Sequence, residues 1–127
     1  MSLRLSAIIC AYNPQRAYLD ETLDSIRAQV DLSPNDAWEL LLIDNASAPA
    51  LDTWVNLTGL PNARIIREDK LGLTHARLRS FSEARGEILL YIDDDNILAP
   101  NYFAETLAAF DADGALGATG GKSLPRW

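Results

Sequence analysis

The chain has 127 residues, a hydrophobic content of 48% and a formal net charge of -7. That length supports one domain with its own core rather than two ordinary ones, and the acidic balance argues against general binding to a nucleic-acid backbone. Cys10 is the single cysteine, which excludes an internal disulfide and a thiolate metal cluster and suits a reducing, cytoplasmic setting; no apolar run approaches membrane-spanning length.

Leu5 to Ala11 is an Ile-rich apolar run and predicts a first strand rather than a signal peptide, because Asn13 and Pro14 break it at once. Apolar residues then recur at Tyr18, Leu19, Leu23, Ile26 and Val30, a helical rhythm. "DLSPND" (Asp31–Asp36) reads as a polar turn. "WELLLIDN" (Trp38–Asn45) predicts a second strand that ends on Asp44, followed by a loop with a short helix. "ARIIRE" (Ala63–Glu68) predicts a third strand, and Leu73 to Ala84 a helix. "EILLYID" predicts a fourth strand, and "APNYFAETLAAFDAD" a helix with Pro100 close to its first turn. "GALGATGG" (Gly114–Gly121) predicts a fifth strand.

Strands two and four are almost wholly apolar, as parallel strands covered on both faces are. Alternation of strands and helices then predicts an α/β fold: a doubly wound, mainly parallel sheet with helices on both faces. Such sheets bind ligands beyond the carboxyl ends of their strands. Tyr12 and Asn13, Asp44 and Asn45, and Asp93 to Asn96 would therefore gather along one edge.

The run Asp93, Asp94, Asp95 is costly in an unliganded fold because adjacent like charges repel. A divalent cation offsets that repulsion, and Mg²⁺ or Mn²⁺ often takes one or two carboxylates alongside substrate phosphates. On an extended segment Asp93 and Asp95 share one side and Asp94 faces the other, so one can hold a metal while its neighbour holds a hydroxyl. The chain has neither G-x-G-x-x-G after its first strand nor G-x-x-x-x-G-K-[ST] anywhere. A bound phosphate would therefore lean on a metal. The plain alternative is a solvated acidic turn that caps the following helix.

Five segments, in order, resemble glycosyltransferase family 2 of the GT-A fold: "SAIICAYN" (Ser6–Asn13), "ELLLIDNAS" (Glu39–Ser47), "GLTHAR" (Gly72–Arg77), "EARGEILLYIDDDN" (Glu83–Asn96) and "LGATGGK" (Leu116–Lys122). The resemblance is to the nucleotide-sugar-binding half. It implies inverting transfer of a sugar from a nucleotide-diphosphate donor, a UDP-sugar in many members, with Mg²⁺ or Mn²⁺. It places Tyr12 against the base, Asp44 on a base N–H and Arg77 near the base or phosphates. Asp93, Asp94 and Asp95 match the family's D-x-D, with Asp94 on the ribose or donor sugar and Asp95 as the metal ligand. The acceptor, whether saccharide, lipid or protein, is not specified.

The chain departs from the family in places. Many members carry Asp-Asp-Gly-Ser where this chain has "DNAS" (Asp44–Ser47), so that Asn45 stays polar but loses a charge. Lys70 stands where Asn is common, and Leu78 and Ser80 replace Asn and Gly in the following helix. The family's catalytic base follows the D-x-D by many residues. Only Glu105, Asp111 and Asp113 are acidic after Asp95 here, all in or at the end of the last predicted helix. The expectation is a truncated chain, ending at "SLPRW", that binds donor, transfers no sugar alone and can associate with a second copy through its exposed end. Two rival classes are a non-catalytic nucleotide-sugar or metal-binding module and a nucleotidyltransferase. The absence of glycine from "CAYNPQRAYL" (Cys10–Leu19) counts against the latter.

His75, the only histidine, reads as a surface or capping residue before a phosphate contact, and Cys10 as a small buried hydrophobe. Trp38 and Trp54 read as packing residues, and Trp127 as one exposed by truncation.

Overall fold

Leu3–Ala11 forms the central strand, β1, because "LRLSAIICA" offers aliphatic side chains to both of its faces. The structure is a computed structural model that describes residues 2–125, so Trp127 lies outside the described residues. Helix α1 (Arg16–Arg27) follows, then β2 (Trp38–Asn45), β3 (Arg64–Glu68), α2 (Leu73–Glu83), β4 (Gly86–Ile92) and α3 (Tyr102–Ala112). A single 3₁₀ turn, Leu51–Thr53, interrupts the loop after β2. All strand pairs are parallel and the order across the sheet is β3-β2-β1-β4. Residue Ile8 sits between Leu41 on one side and Tyr91 on the other.

The period-two alternation of the strands separates two apolar layers. Leu5, Ala7 and Ile9 of β1, with Leu40 and Leu42 of β2, pack against Leu19, Leu23 and Ile26 of α1 and Phe103 and Leu107 of α3. Ile8, Leu41 and Ile43 turn the other way and meet Ala76 of α2. Helices thus cover both faces, as expected of a doubly wound sheet. Each of these large side chains contributes about 1.5–3 kcal/mol when removed from water. Trp38 packs edge-on against Phe103, with ring centroids 5.0 Å apart, and belongs to the first layer.

A polar network closes the amino-terminal end of the sheet. Glu39 is fully buried; its Oε1 accepts from Ser6 Oγ at 2.7 Å and from the Arg85 N–H at 2.8 Å, and its Oε2 lies 3.3 Å from the Arg64 guanidinium. A charge buried this deeply needs such partners. Gly86 N–H donates to Ser6 Oγ at 2.8 Å, and a Cβ at Gly86 would lie 2.5 Å from the Ser6 nitrogen. Glycine is what lets β4 approach β1 this closely.

Three expectations change. Tyr18 is exposed, so the buried stripe of α1 is narrower than the apolar spacing suggests, and Val30, also exposed, lies beyond the end of the helix. Residues 114–121 form no strand. Four glycines make an extended run entropically costly, and the segment instead brings Gly121 against the Tyr102 ring, where a Cβ would come within 2.5 Å. Asp93 to Asp95 are not extended: they open a turn in which the Asn96 N–H approaches the Asp93 carbonyl at 3.3 Å. The two-sided arrangement expected of an extended run therefore does not apply.

Candidate functional site

The chain steps from β1 outward to β2 and β3, then crosses back to place β4 on the other side of β1. In open α/β sheets, a reversal of this kind is where ligands bind, beyond the carboxyl ends of the strands. Tyr12, Asp44 and the Asp93–Asp95 turn all lie at this end, each directly at or after the close of its strand.

Tyr12 is 52% exposed, so its ring keeps an open face. Asn13 follows with φ 44°, a left-handed conformation that asparagine tolerates better than most residues. Its N–H donates to Ser47 Oγ at 2.9 Å, and its Oδ1 accepts from the Ala48 N–H at 2.9 Å. These two bonds tie the loop after β1 to the loop after β2.

Asp44 is buried, and its carboxylate organises the second loop. Oδ1 accepts from the Ser47 N–H at 3.0 Å; Oδ2 accepts from the Leu51 N–H and from Arg67 Nη1, both at 2.9 Å. Burial alone would raise its pKa, but the bonds from Leu51, Ser47 and Arg67 outweigh burial and hold it below the usual carboxylate range. Ala46 has φ 60° at the position where the family's Asp-Asp-Gly-Ser has glycine, so the backbone bend is kept without the residue that favours it. Asn45, on the opposite side of the strand, bonds to the loop before α2, as described below.

Asp93 and Asp95 are exposed, and Asp94 is half-buried. Burial, then the charges of Asp95 and Asp93, raise the Asp94 pKa. A carboxyl group with a raised folded pKa loses stability for the fold as pH rises through that value. Asp94→Asn should therefore melt about 1–2 °C above the parent at pH 7, for about 0.3–0.5 kcal/mol after allowance for solvent screening. At pH about 3, below the ordinary aspartate value, the two should melt together. Equal melting at both pH values would show that the three charges do not oppose one another.

The turn is anchored from behind. Ser25 Oγ accepts the Leu98 N–H at 3.1 Å, Gln29 Nε2 donates to the Ala99 carbonyl at 2.8 Å, and the Val30 N–H donates to the Pro100 carbonyl at 2.8 Å. The end of α1 thus holds the segment that follows the acidic run. A cleft of about 610 Å³ lies beside Asp95, bounded by Tyr91, Tyr102 and the 121–125 segment, with Lys122 on its rim. Among the described residues no three His, Cys, Asp or Glu side chains converge as a self-sufficient metal cage. The hard, exposed oxygens of the turn instead suit a cation that takes its other ligands from phosphate and water.

Arg77 projects from α2, its guanidinium carbon 5.8 Å from the Tyr91 ring centroid, within cation–π range. Tyr91 shares a 2.6 Å hydrogen bond with Ser80 Oγ. The Cys10 thiol lies on the same face; burial pushes its pKa up to about 11 although Arg77 acts to lower it. It is protonated at neutral pH and unsuited to nucleophilic attack. His75 is half-buried at the start of α2, its Cδ2 3.2 Å from where a Gly72 Cβ would be. Trp54 lies beneath the Arg16 guanidinium at 4.4 Å, a packing role. Of the later acids, Asp111 pairs with Arg4 at 2.7 Å, at the far end of β1, and Asp113 accepts from the Ala115 N–H; Glu105 is exposed on α3.

Sequence reasoning placed Asn13 at the ligand edge without its role as a tie between loops, and missed Ser47, Arg67 and Gln29 as supports of the site. Only one local signal was available: asparagine directly after a strand marks a candidate left-handed position.

A four-stranded parallel sheet of order 3-2-1-4, covered on both faces and carrying carboxylates at the carboxyl ends of its strands, defines an α/β layer of the GT-A kind. A crystal structure of S. aureus TarS 1-349 superposes with a TM-score of 0.76 at 21% identity, over 98% of this chain and 39% of that one. The chain belongs to glycosyl transferase family 2, whose profile matches residues 6–123. Among its relatives, the hyaluronan synthase of Streptococcus pyogenes is 28% identical over 126 residues, covering 92% of this chain and 29% of the synthase. EpsH of Bacillus subtilis (strain 168) is 28% identical over 105 residues, covering 81% of this chain and 29% of EpsH. The chain spans less than half the length of these relatives. No described helix is long and apolar enough to cross a membrane.

Proposed function

We propose that the chain is the donor-binding part of a glycosyltransferase that moves a sugar from a nucleotide-diphosphate sugar, a UDP-sugar in this reading, to an acceptor with inversion. The observation that carries this is that Tyr12, Asp44 and the Asp93–Asp95 turn lie at the carboxyl ends of three neighbouring parallel strands. Membership of the family supports it, as does a TarS structure in complex with UDP-GlcNAc that shares the fold with a TM-score of 0.72.

Tyr12 offers its open face to the base. Asp44 Oδ1 carries one donor, from Ser47, and keeps a lone pair for a ring N–H. Arg77 supplies positive charge toward the base or phosphates, Asp94 accepts from the ribose or donor-sugar hydroxyls, and Asp93 adds to the negative field of the turn. Asp95 would hold Mg²⁺ or Mn²⁺ together with diphosphate oxygens; when bound, that cation neutralises charge on the departing diphosphate. Asp111 and Asp113 are engaged with Arg4 and the Ala115 N–H, so neither is proposed as the base that deprotonates the acceptor.

Calorimetry of UDP with and without Mn²⁺ tests the reading. Tighter binding with Mn²⁺ is expected. Equal affinity in both conditions would remove the metal from the site, and no binding in either would remove the donor.

A further inference from the structure

Asn45 closes β2 with a side chain that is almost entirely buried and fully used. Its Nδ2 donates to the carbonyls of Glu68 at 3.1 Å and Lys70 at 2.9 Å, and its Oδ1 accepts from the Gly72 N–H at 2.9 Å. One amide thus holds three backbone groups from the end of β3 across the four-residue link to α2. A carboxylate of the same shape could take only the last of these bonds, because it has no donor. The two carbonyls would then face a negative charge instead of an N–H.

The held link ends on Gly72, which has φ 139° and ψ 136°, a conformation open to glycine and strained for other residues. The Gly72 carbonyl accepts the Ala76 N–H at 3.1 Å and so begins α2. No side chain caps this helix, and the Asn45 amide anchors Gly72, the residue just before its first turn. Arg77 lies in the second turn, over Tyr91. An α-helix rotates about 100° per residue, so a shift in where α2 starts would swing Arg77 away from that ring.

We propose that Asn45 is a positioning residue for the donor site: by clamping Glu68, Lys70 and Gly72 it sets the start of α2 and hence the place of Arg77. This rests on the donor reading for its functional half, whereas the clamp itself does not.

The test combines residue-resolved amide exchange with UDP calorimetry in Mn²⁺ on the parent, Asn45→Asp, Arg77→Ala and the double variant, with Asn45→Ala as a second probe of the same bonds. Exchange should quicken at residues 70–73 and at Ala76 in Asn45→Asp while β1 stays protected. UDP affinity should fall about tenfold. In the Arg77→Ala background the same change should cost less than about threefold, because the group being positioned is already gone. Unchanged protection in both Asn45 variants would overturn the clamp. A loosened link with unchanged UDP affinity, or a loss that adds in full to that of Arg77→Ala, would leave Asn45 a purely structural residue and overturn the positioning role. If the parent binds no UDP, the donor reading fails and takes the positioning role with it, while faster exchange would still establish the clamp.

Discussion

Asp95→Ala should remove most of the Mn²⁺-dependent gain in UDP affinity, a loss of at least about tenfold or 1.4 kcal/mol, and should leave the fold intact. Asp95 is exposed and makes no hydrogen bond or ion pair among the described residues, so its removal should shift stability by no more than about 0.5 kcal/mol. A cation that takes only one or two protein carboxylates depends heavily on each. Asp93→Ala, also exposed, provides the comparison and should cost less. The measurement is UDP calorimetry at fixed Mn²⁺, with melting temperatures recorded for both variants. Should Asp93→Ala prove the more damaging, the ligand is Asp93. Should neither change the Mn²⁺ dependence, the turn is only an acidic cap.

Asp44→Ala should behave in the opposite way and harm the fold first. Its carboxylate satisfies two backbone N–H groups and part of the Arg67 guanidinium from a buried position. Arg67 is 41% exposed and can return to water, whereas the Ser47 and Leu51 amides have less recourse. A cost of about 2–4 kcal/mol follows from buried donors left unpaired, or a fall in Tm of about 10 °C. Asp44→Asn should lose less, because its remaining oxygen still accepts. The pH dependence has a definite sign. A carboxylate whose folded pKa lies below its unfolded value contributes stability above the unfolded value and loses it as pH falls through the folded one. The parent's advantage over Asp44→Ala should therefore shrink in acid. In binding, the UDP-over-CDP preference should narrow by about 1–3 kcal/mol in Asp44→Asn. An undiminished preference would confine Asp44 to its structural role.

The contrast between these two aspartates bears on how much the sequence could reveal. β2 and β4 were legible because continuous apolar runs mark strands buried on both faces. The carboxylates were legible because charges closing such runs have no packing explanation. The supports of the site were not. Asn45 bonds to groups as far as Gly72, 27 positions along the chain, and nothing in its local sequence announces that. As a departure from the family's tetrad it reads as a charge lost, whereas in the fold it is a pair of donors gained. The missing fifth strand has a related cause. Extended structure needs a neighbour to pair with, and residue type alone does not show whether one is present. Nor does it show that Asn96 folds the acidic run into a turn.

The position of β4 at the margin of the sheet also matters for handling the protein. Gly86–Ile92 pairs with β1 on one side only, and the described residues provide no strand on the other. The segment has no proline, carries Glu87 as its one charge and is otherwise apolar after Gly86. Natural proteins cover, twist or charge such an edge, because its free amides and carbonyls can template another chain. Slow, concentration-dependent association through β4 is therefore the expected behaviour, and light scattering over a concentration series checks it. Arginine or a lysine-bearing solubility partner near that edge would be a better safeguard than any further change to the core.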